Sequence, residues 1–179
     1  MTSGPAAWGG SRRPWSPILT AEPYRDSVYV AARPRLVFDY FTRPEALVRW
    51  MGDLAVLDPR PGGEFTILFG GSSVRGRYLE VDPPRRLVIS WGRGGSAEFP
   101  PEVSTLEVTL RPEGEGTRVS IVHSGLPEAE APKHAAGWRG YLTRLSTVAG
   151  EAVTPPAEPR RPPGPGSAGG PPAGPARRT

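Results

Sequence analysis

Apolar and polar positions change rhythm along this chain, and the changes mark its elements. Residues 25–31 alternate, with Val28 and Val30 opposite Ser27 and Tyr29, the period of a half-buried strand. The period then turns helical. Pro34 suits a first helical turn, and Val37, Phe38 and Phe41 share one face with Leu36 and Tyr40 alongside. A second short helix is predicted next. Thr42 and Glu45 have capping-box spacing, Leu47, Trp50 and Met51 form an i, i+3, i+4 stripe, and Gly52 stands where a left-handed cap stops a helix.

From 53 to 124 the pattern is β throughout. Pro61-Gly62-Gly63 turns the chain into alternating Phe65, Ile67 and Phe69, and Gly70-Gly71 turns it again into 74–81. After the breaker Asp82-Pro83-Pro84, Leu87, Ile89 and Trp91 alternate with Val88 and Ser90, and Leu106, Val108 and Leu110 with Thr105, Glu107 and Thr109. Residues 113–116 read as a hairpin turn into Val119 and Ile121. Such short connections imply consecutive antiparallel strands. A long helix is predicted over 132–148, with Trp138, Tyr141, Leu142, Leu145 and Val148 on one face, Arg139, Thr143 and Arg144 on the other, and Gly150 ending it.

The order is therefore α+β: a strand, two short helices, a run of antiparallel strands and one long amphipathic helix. A sheet with one apolar face must cover it, and the last helix is the available cover. A sheet curved around that helix leaves room for a cavity. The domain is placed at 24–149. Residues 1–23, with Gly9-Gly10, Pro14, Pro17 and Pro23, read as a flexible N-terminal segment. Residues 150–179 are rich in Pro and Gly without periodicity and read as a disordered tail.

Composition narrows the function classes. The chain has no cysteine, which removes disulfides and thiolate metal sites. No apolar run approaches the roughly 20 residues of a membrane span, and Trp8, Arg12, Arg13, Pro14 and Trp15 interrupt any signal-peptide core, so the expected place is the cytoplasm. The net charge is +4, yet residues 24–148 carry 16 Lys/Arg against 15 Asp/Glu. A nearly neutral domain of alternating sign lacks the clustered positive face that nucleic acid requires. Lys133 is the sole lysine, and Asn and Gln are absent, a bias expected of a GC-rich coding background.

Several segments together resemble a known family. They are Val37-Phe38 with 44–47 and Trp50, 60–63 with Phe65, 76–87 closed by Trp91, 116–119, 123–127, and His134, Gly137-Trp138, Leu142 and Leu145. In this order and spacing they are similar to the START-like helix-grip superfamily, and within it to the domain related to the C-terminal part of the activator of Hsp90 ATPase. The resemblance covers about 125 residues and implies a curved antiparallel sheet wrapped around the C-terminal helix with a hydrophobic cavity between them. It brings no catalytic set and no cofactor with it. The pocket candidates it points to are Trp50, Phe65, Ile67, Tyr78, Trp91, Leu106, His123, Gly137, Trp138 and Tyr141.

Candidate chemistry is sparse. His123 shares a strand face with Thr117, Val119 and Ile121, which would suit a ligand contact or general base. No carboxylate at evident spacing orients it, so a packed, hydrogen-bonded histidine is the favoured reading. His134, at the start of the last helix, reads as a surface or capping residue. Two histidines eleven positions apart with no cysteine give no metal-ligand set. No Gly-x-Ser-x-Gly occurs, and the glycine-rich 92–95 precedes no helix that would present amides to phosphate. Gly137 and Gly140 either let the helix approach the sheet closely or leave room for a ligand. The leading expectation is a domain that binds an apolar or aromatic small molecule. A chaperone-linked interaction module and a cyclase- or hydrolase-type enzyme on the same fold are the alternatives, and no membrane or nucleic-acid partner is expected.

Overall fold

The computed structural model describes residues 19–152. The expectations for 1–18 and 153–179 lie outside them. Strand β1 (Tyr24–Val30) leads into helices α1 (Pro34–Thr42) and α2 (Pro44–Leu47). Strands β2 (Leu54–Leu57), β3 (Glu64–Phe69), β4 (Ser72–Asp82), β5 (Arg86–Trp91), β6 (Ser104–Glu113) and β7 (Gly116–Ser124) follow, and helix α3 (Ala131–Glu151) closes the order. The strands form one antiparallel sheet in the order β1-β7-β6-β5-β4-β3-β2. Strands β2 to β7 are thus a meander, and β1 is added beyond its last strand, with Val28 opposite Val119 and Val30 opposite Thr117. This is the α+β helix-grip architecture: an open sheet, two short helices after the first strand, and a long C-terminal helix.

Alternation decides which face is buried. Leu106, Val108 and Leu110 are buried while Thr105, Glu107 and Thr109 are half-buried, and β7 repeats the pattern through Val119, Ile121 and His123. The inner face meets Val37, Phe38, Tyr40 and Phe41 of α1 and Trp138, Leu142, Leu145 and Ala149 of α3. Two buried polar anchors fix the elements to one another. The Tyr78 hydroxyl donates to the Phe41 carbonyl (2.8 Å) and ties β4 to α1. The Trp50 indole donates to the Tyr40 carbonyl (3.0 Å) and ties the turn after α2 to the same helix.

Some local expectations need correction. The Thr42–Glu45 capping box does not form, because Thr42 is the last residue of α1 and its hydroxyl donates back to the Phe38 carbonyl (3.1 Å). Arg43 is the N-cap of α2, with Pro44 as the first helical residue. Helix α2 ends at Leu47, so Trp50 and Met51 lie in the following turn, yet both stay buried. Gly52 has φ +77°, and a Cβ there would stand 2.3 Å from Ile67 Cγ2. Both its conformation and the close approach of β3 therefore exclude a side chain. Ser90, expected on the outer face, is buried because its hydroxyl accepts from the Arg77 amide (2.8 Å). Gly150 does not end α3, which runs to Glu151. Before β1, Thr20 bridges Pro127 and the Ala21 amide donates to the Leu126 carbonyl (2.9 Å).

Candidate functional site

The space under the middle of α3 is filled. Phe41, Leu47, Trp50, Met51, Phe65, Ile89, Trp91, Leu106 and Trp138 surround a void of only about 10 Å³, at the lower limit for one water. The open space lies at one end of the grip, beside the N-terminal half of α3, as a cleft of about 280 Å³. Phe69, Ser72, Ser73 and Val74 of the β3–β4 hairpin form one wall. Trp91 is the floor, and Arg93 and Phe99 come from the connection between β5 and β6. Glu130, Lys133, His134, Gly137, Trp138 and Tyr141 complete it from α3 and its N-cap.

The ten pocket candidates therefore separate. Trp91, Gly137, Trp138 and Tyr141 line the open cleft, whereas Trp50, Phe65 and Leu106 face only the closed void. Ile67 and Tyr78 are fully buried in the core, Ile67 against Gly52 and Tyr78 through its bond to α1. Burial pushes the Tyr78 phenol well above its ordinary range, so it stays protonated.

His123 is fully buried and bonded through both ring nitrogens. The Trp138 indole can only donate, so Nδ1 accepts from it at 3.0 Å. The ring proton therefore sits on Nε2 and faces Ser104 Oγ at 2.9 Å, and the Ser104 hydroxyl donates on to the Trp91 carbonyl at 3.0 Å. Every polar atom of the relay is matched. Burial, reinforced by neighbouring His134, lowers the His123 pKa to about 3. The neutral ring has no free lone pair for general-base work, and its role is to pin α3 to β6 and β7.

His134 differs. Its Nδ1 donates to the Glu130 carbonyl (3.0 Å), which leaves the Nε2 lone pair in the cleft wall. Its ring meets Phe99 and His123 edge-on, at centroid distances of 5.1 and 5.2 Å. Burial lowers its pKa, partly offset by the Glu130 carbonyl and carboxylate. Glu130 is buried yet bonded to two cations, Arg93 (2.8 Å) and Lys133 (3.1 Å). Burial pushes its carboxyl up, but the hydrogen bonds and charges of Lys133 and Arg93 outweigh this and hold it below the usual range. Gly137 opens on the cleft, where a Cβ would touch only the Tyr141 ring at 3.5 Å. Gly140 has nothing within 4 Å and is exposed, so it neither permits close packing nor makes room for a ligand.

Phe99, Glu130, Lys133 and His134 are not among the pocket candidates of the sequence, and Arg93 enters there only within the glycine-rich 92–95, which reads as a flexible strand connection at the pocket mouth. Their one shared signal was position: all lie at or beyond the glycine-rich 92–95 or at the start of the last helix. Among the described residues no group of three or more His, Asp or Glu side chains is placed to hold a metal ion. No helix there is long and apolar enough to cross a membrane.

Residues 31–150 match the family described as Activator of Hsp90 ATPase homolog 1-like protein. The chain belongs to this family. An AHSA1-like protein from Rhizobium etli is 37% identical, covering 88% of this chain and 94% of its own, with a TM-score of 0.59. CalU16 from Micromonospora echinospora is 30% identical over 73% of this chain and 84% of its own, with a TM-score of 0.55. An HSP90 activator from Plasmodium falciparum shares the fold at 22% identity, covering 73% of this chain and 97% of its own, with a TM-score of 0.62. Among curated proteins no sequence is a significant match.

Proposed function

We propose that this domain binds a small apolar or aromatic molecule in the cleft beside the N-terminal half of α3. The observation that carries this reading is the contrast between a closed centre and an open, aromatic-walled end. The void under α3 is about 10 Å³ and the cleft about 280 Å³, close to the lower end of the range for small-molecule sites. The rings of Trp91, Trp138, Tyr141 and Phe69 follow one another along its wall with successive centroids 5.5, 6.3 and 6.1 Å apart, a continuous surface suited to aromatic contacts. Gly137 provides the test. In Gly137→Leu the new Cβ makes ordinary contact with Tyr141 and the rest of the side chain occupies the cleft. The variant is expected to fold and to lose binding of the uncharged fluorescent probe N-phenyl-1-naphthylamine. A wild-type protein that binds no probe, or a variant that binds it equally well, refutes this assignment.

A chaperone-linked interaction module is the second reading, and one observation favours it. Leu54, Val56 and Leu68 are exposed on β2 and β3, with Leu54 directly opposite Leu68, and β2 is the last strand of the sheet. An exposed apolar patch on an edge strand suits a protein partner. Leu54→Asp with Val56→Asp should then abolish any stimulation of the chaperone ATPase while leaving probe binding unchanged. Stimulation unaffected by the pair removes this surface from consideration. Both readings place the protein in the cytoplasm.

A further inference from the structure

We infer that the molecule held in the cleft is an aromatic carboxylate, bound with its ring against Trp91 and Tyr141 and its carboxylate on Arg93 and Lys133. This deepens the cleft-binding reading and rests on it. The argument begins with charge. Arg93 and Lys133 share a single buried carboxylate, Glu130, through Arg93 Nη2 to Oε2 (2.8 Å) and Lys133 Nζ to Oε1 (3.1 Å). Among the described residues the other ionisable side chains lining the cleft are His134, whose protonated form burial disfavours, and the Tyr141 phenol, and neither adds a carboxylate. Two cations against one anion leave one positive charge at the mouth of an apolar cleft.

The donors are also held in place. The Arg93 amide donates to the Phe99 carbonyl (2.8 Å), Arg93 pairs across to Val74, and its guanidinium lies 5.9 Å from the Phe99 ring centre. Only one guanidinium nitrogen is used by Glu130, so its other N–H groups, and two of the three on Lys133, have no side-chain acceptor among the described residues. Glu130 thus works as a buried post that orients two half-used donors toward one place. A planar guanidinium beside an ammonium suits a carboxylate. The Trp91 ring lines the cleft, but its indole N–H is closed to solvent, so the carboxylate is assigned to Arg93 and Lys133 alone. The aromatic walls and the modest volume set the rest of the ligand as a mono- or bicyclic ring rather than a bare inorganic anion. The chain's only lysine is the one at this mouth, against 21 arginines including Arg93, from a combined Lys and Arg count of 22.

The test compares 2-naphthoate with its uncharged amide, 2-naphthamide, on the full chain by calorimetry. Lys133 is the sole lysine, so protein labelled with carbon-13 at lysine Cε gives one lysine signal that reports contact directly and keeps all three N–H groups. Naphthoate should bind about tenfold or more tightly than the amide, the size expected of charge-assisted hydrogen bonds, and should shift the Lys133 signal. Arg93→Gln with Lys133→Gln should erase that preference while leaving amide affinity in place. Because this pair strands Glu130, Glu130→Gln is the complementary variant: it removes the competing anion, keeps the shape and should tighten naphthoate binding. Equal affinity for the two compounds, or acetate binding as tightly as naphthoate, overturns the aromatic carboxylate and leaves cleft binding intact. Failure of both naphthyl compounds to bind overturns the cleft reading itself, and this inference with it.

Discussion

Acid should unlock this fold through His123 before it does so through any other single group. The ring is fully buried, accepts from Trp138 at 3.0 Å and meets Ser104 at 2.9 Å. A proton added to Nδ1 would turn the Trp138 contact into donor against donor. Burial, reinforced by neighbouring His134, holds the His123 pKa at about 3, against roughly 6.5 in an unfolded chain. The sign follows from which state takes up protons. Between these values the unfolded chain binds a proton that the native ring refuses, so lowering the pH favours unfolding. The neutral ring's contribution is complete above about pH 6.5, falls as the pH drops, and is gone near pH 3. Its full size is roughly 5 kcal/mol, of which roughly 2 kcal/mol is lost between pH 7 and pH 5. Against a total stability of about 5–15 kcal/mol, that loss is large. Urea unfolding at pH 7 and pH 5, in wild type and His123→Gln, isolates it from the carboxylates, which contribute to both proteins alike, and the same pair made in a His134→Gln background removes the part due to coupling between the two rings. The wild type should lose roughly 2 kcal/mol more than the variant over this interval. Equal losses, or a His123 NMR titration with a midpoint near 6.5, would refute the reasoning.

Three further outcomes are expected. Trp138→Phe strands the Nδ1 lone pair and opens space beside Trp91, at a cost of about 2–4 kcal/mol by chemical denaturation. Tyr78→Phe leaves the Phe41 carbonyl without its buried donor and should cost about 1–3 kcal/mol with no change in probe binding. Gly140→Ala meets nothing within 4 Å on an exposed helix face and should raise stability by about 1 kcal/mol, read as a higher melting temperature, again without affecting the cleft.

The sequence was legible where period alone decides the answer. Strands β6 and β7 bury every second residue over 104–110 and 117–123 as their alternation predicts, and the stripe of Trp138, Leu142 and Leu145 is the face of α3 that meets the sheet. It was less legible where a tertiary partner overrides a local signal. Thr42 and Glu45 have the spacing of a capping box, but a continuing α1 takes the Thr42 hydroxyl first. The cleft was half legible for a related reason. Aromatic residues at regular periods could be placed on the inner face, but periodicity carries no volume, so it could not tell the filled middle from the open end. Arg93 and Phe99 reach the cleft from a connection that has no period at all. His123 was read as a packed histidine without an orienting carboxylate. A serine and a tryptophan orient it instead, which no spacing along the chain would show.

The position of β1 at the far edge of the sheet has a consequence for synthesis. Of the described strands Tyr24–Val30 is translated first, yet among the described residues its only hydrogen-bonding neighbour is β7, and Val30 must wait for Thr117. Until then the leading strand has no template, while β2 to β7 can zip up hairpin by hairpin as each emerges. The amino-terminal edge is thus completed by almost the last part of the domain to leave the ribosome, and α3, which packs against β1, follows only after that. A nascent chain stalled before residue 117 would carry an assembled meander with a dangling leader, and one released after α3 would be the first able to close.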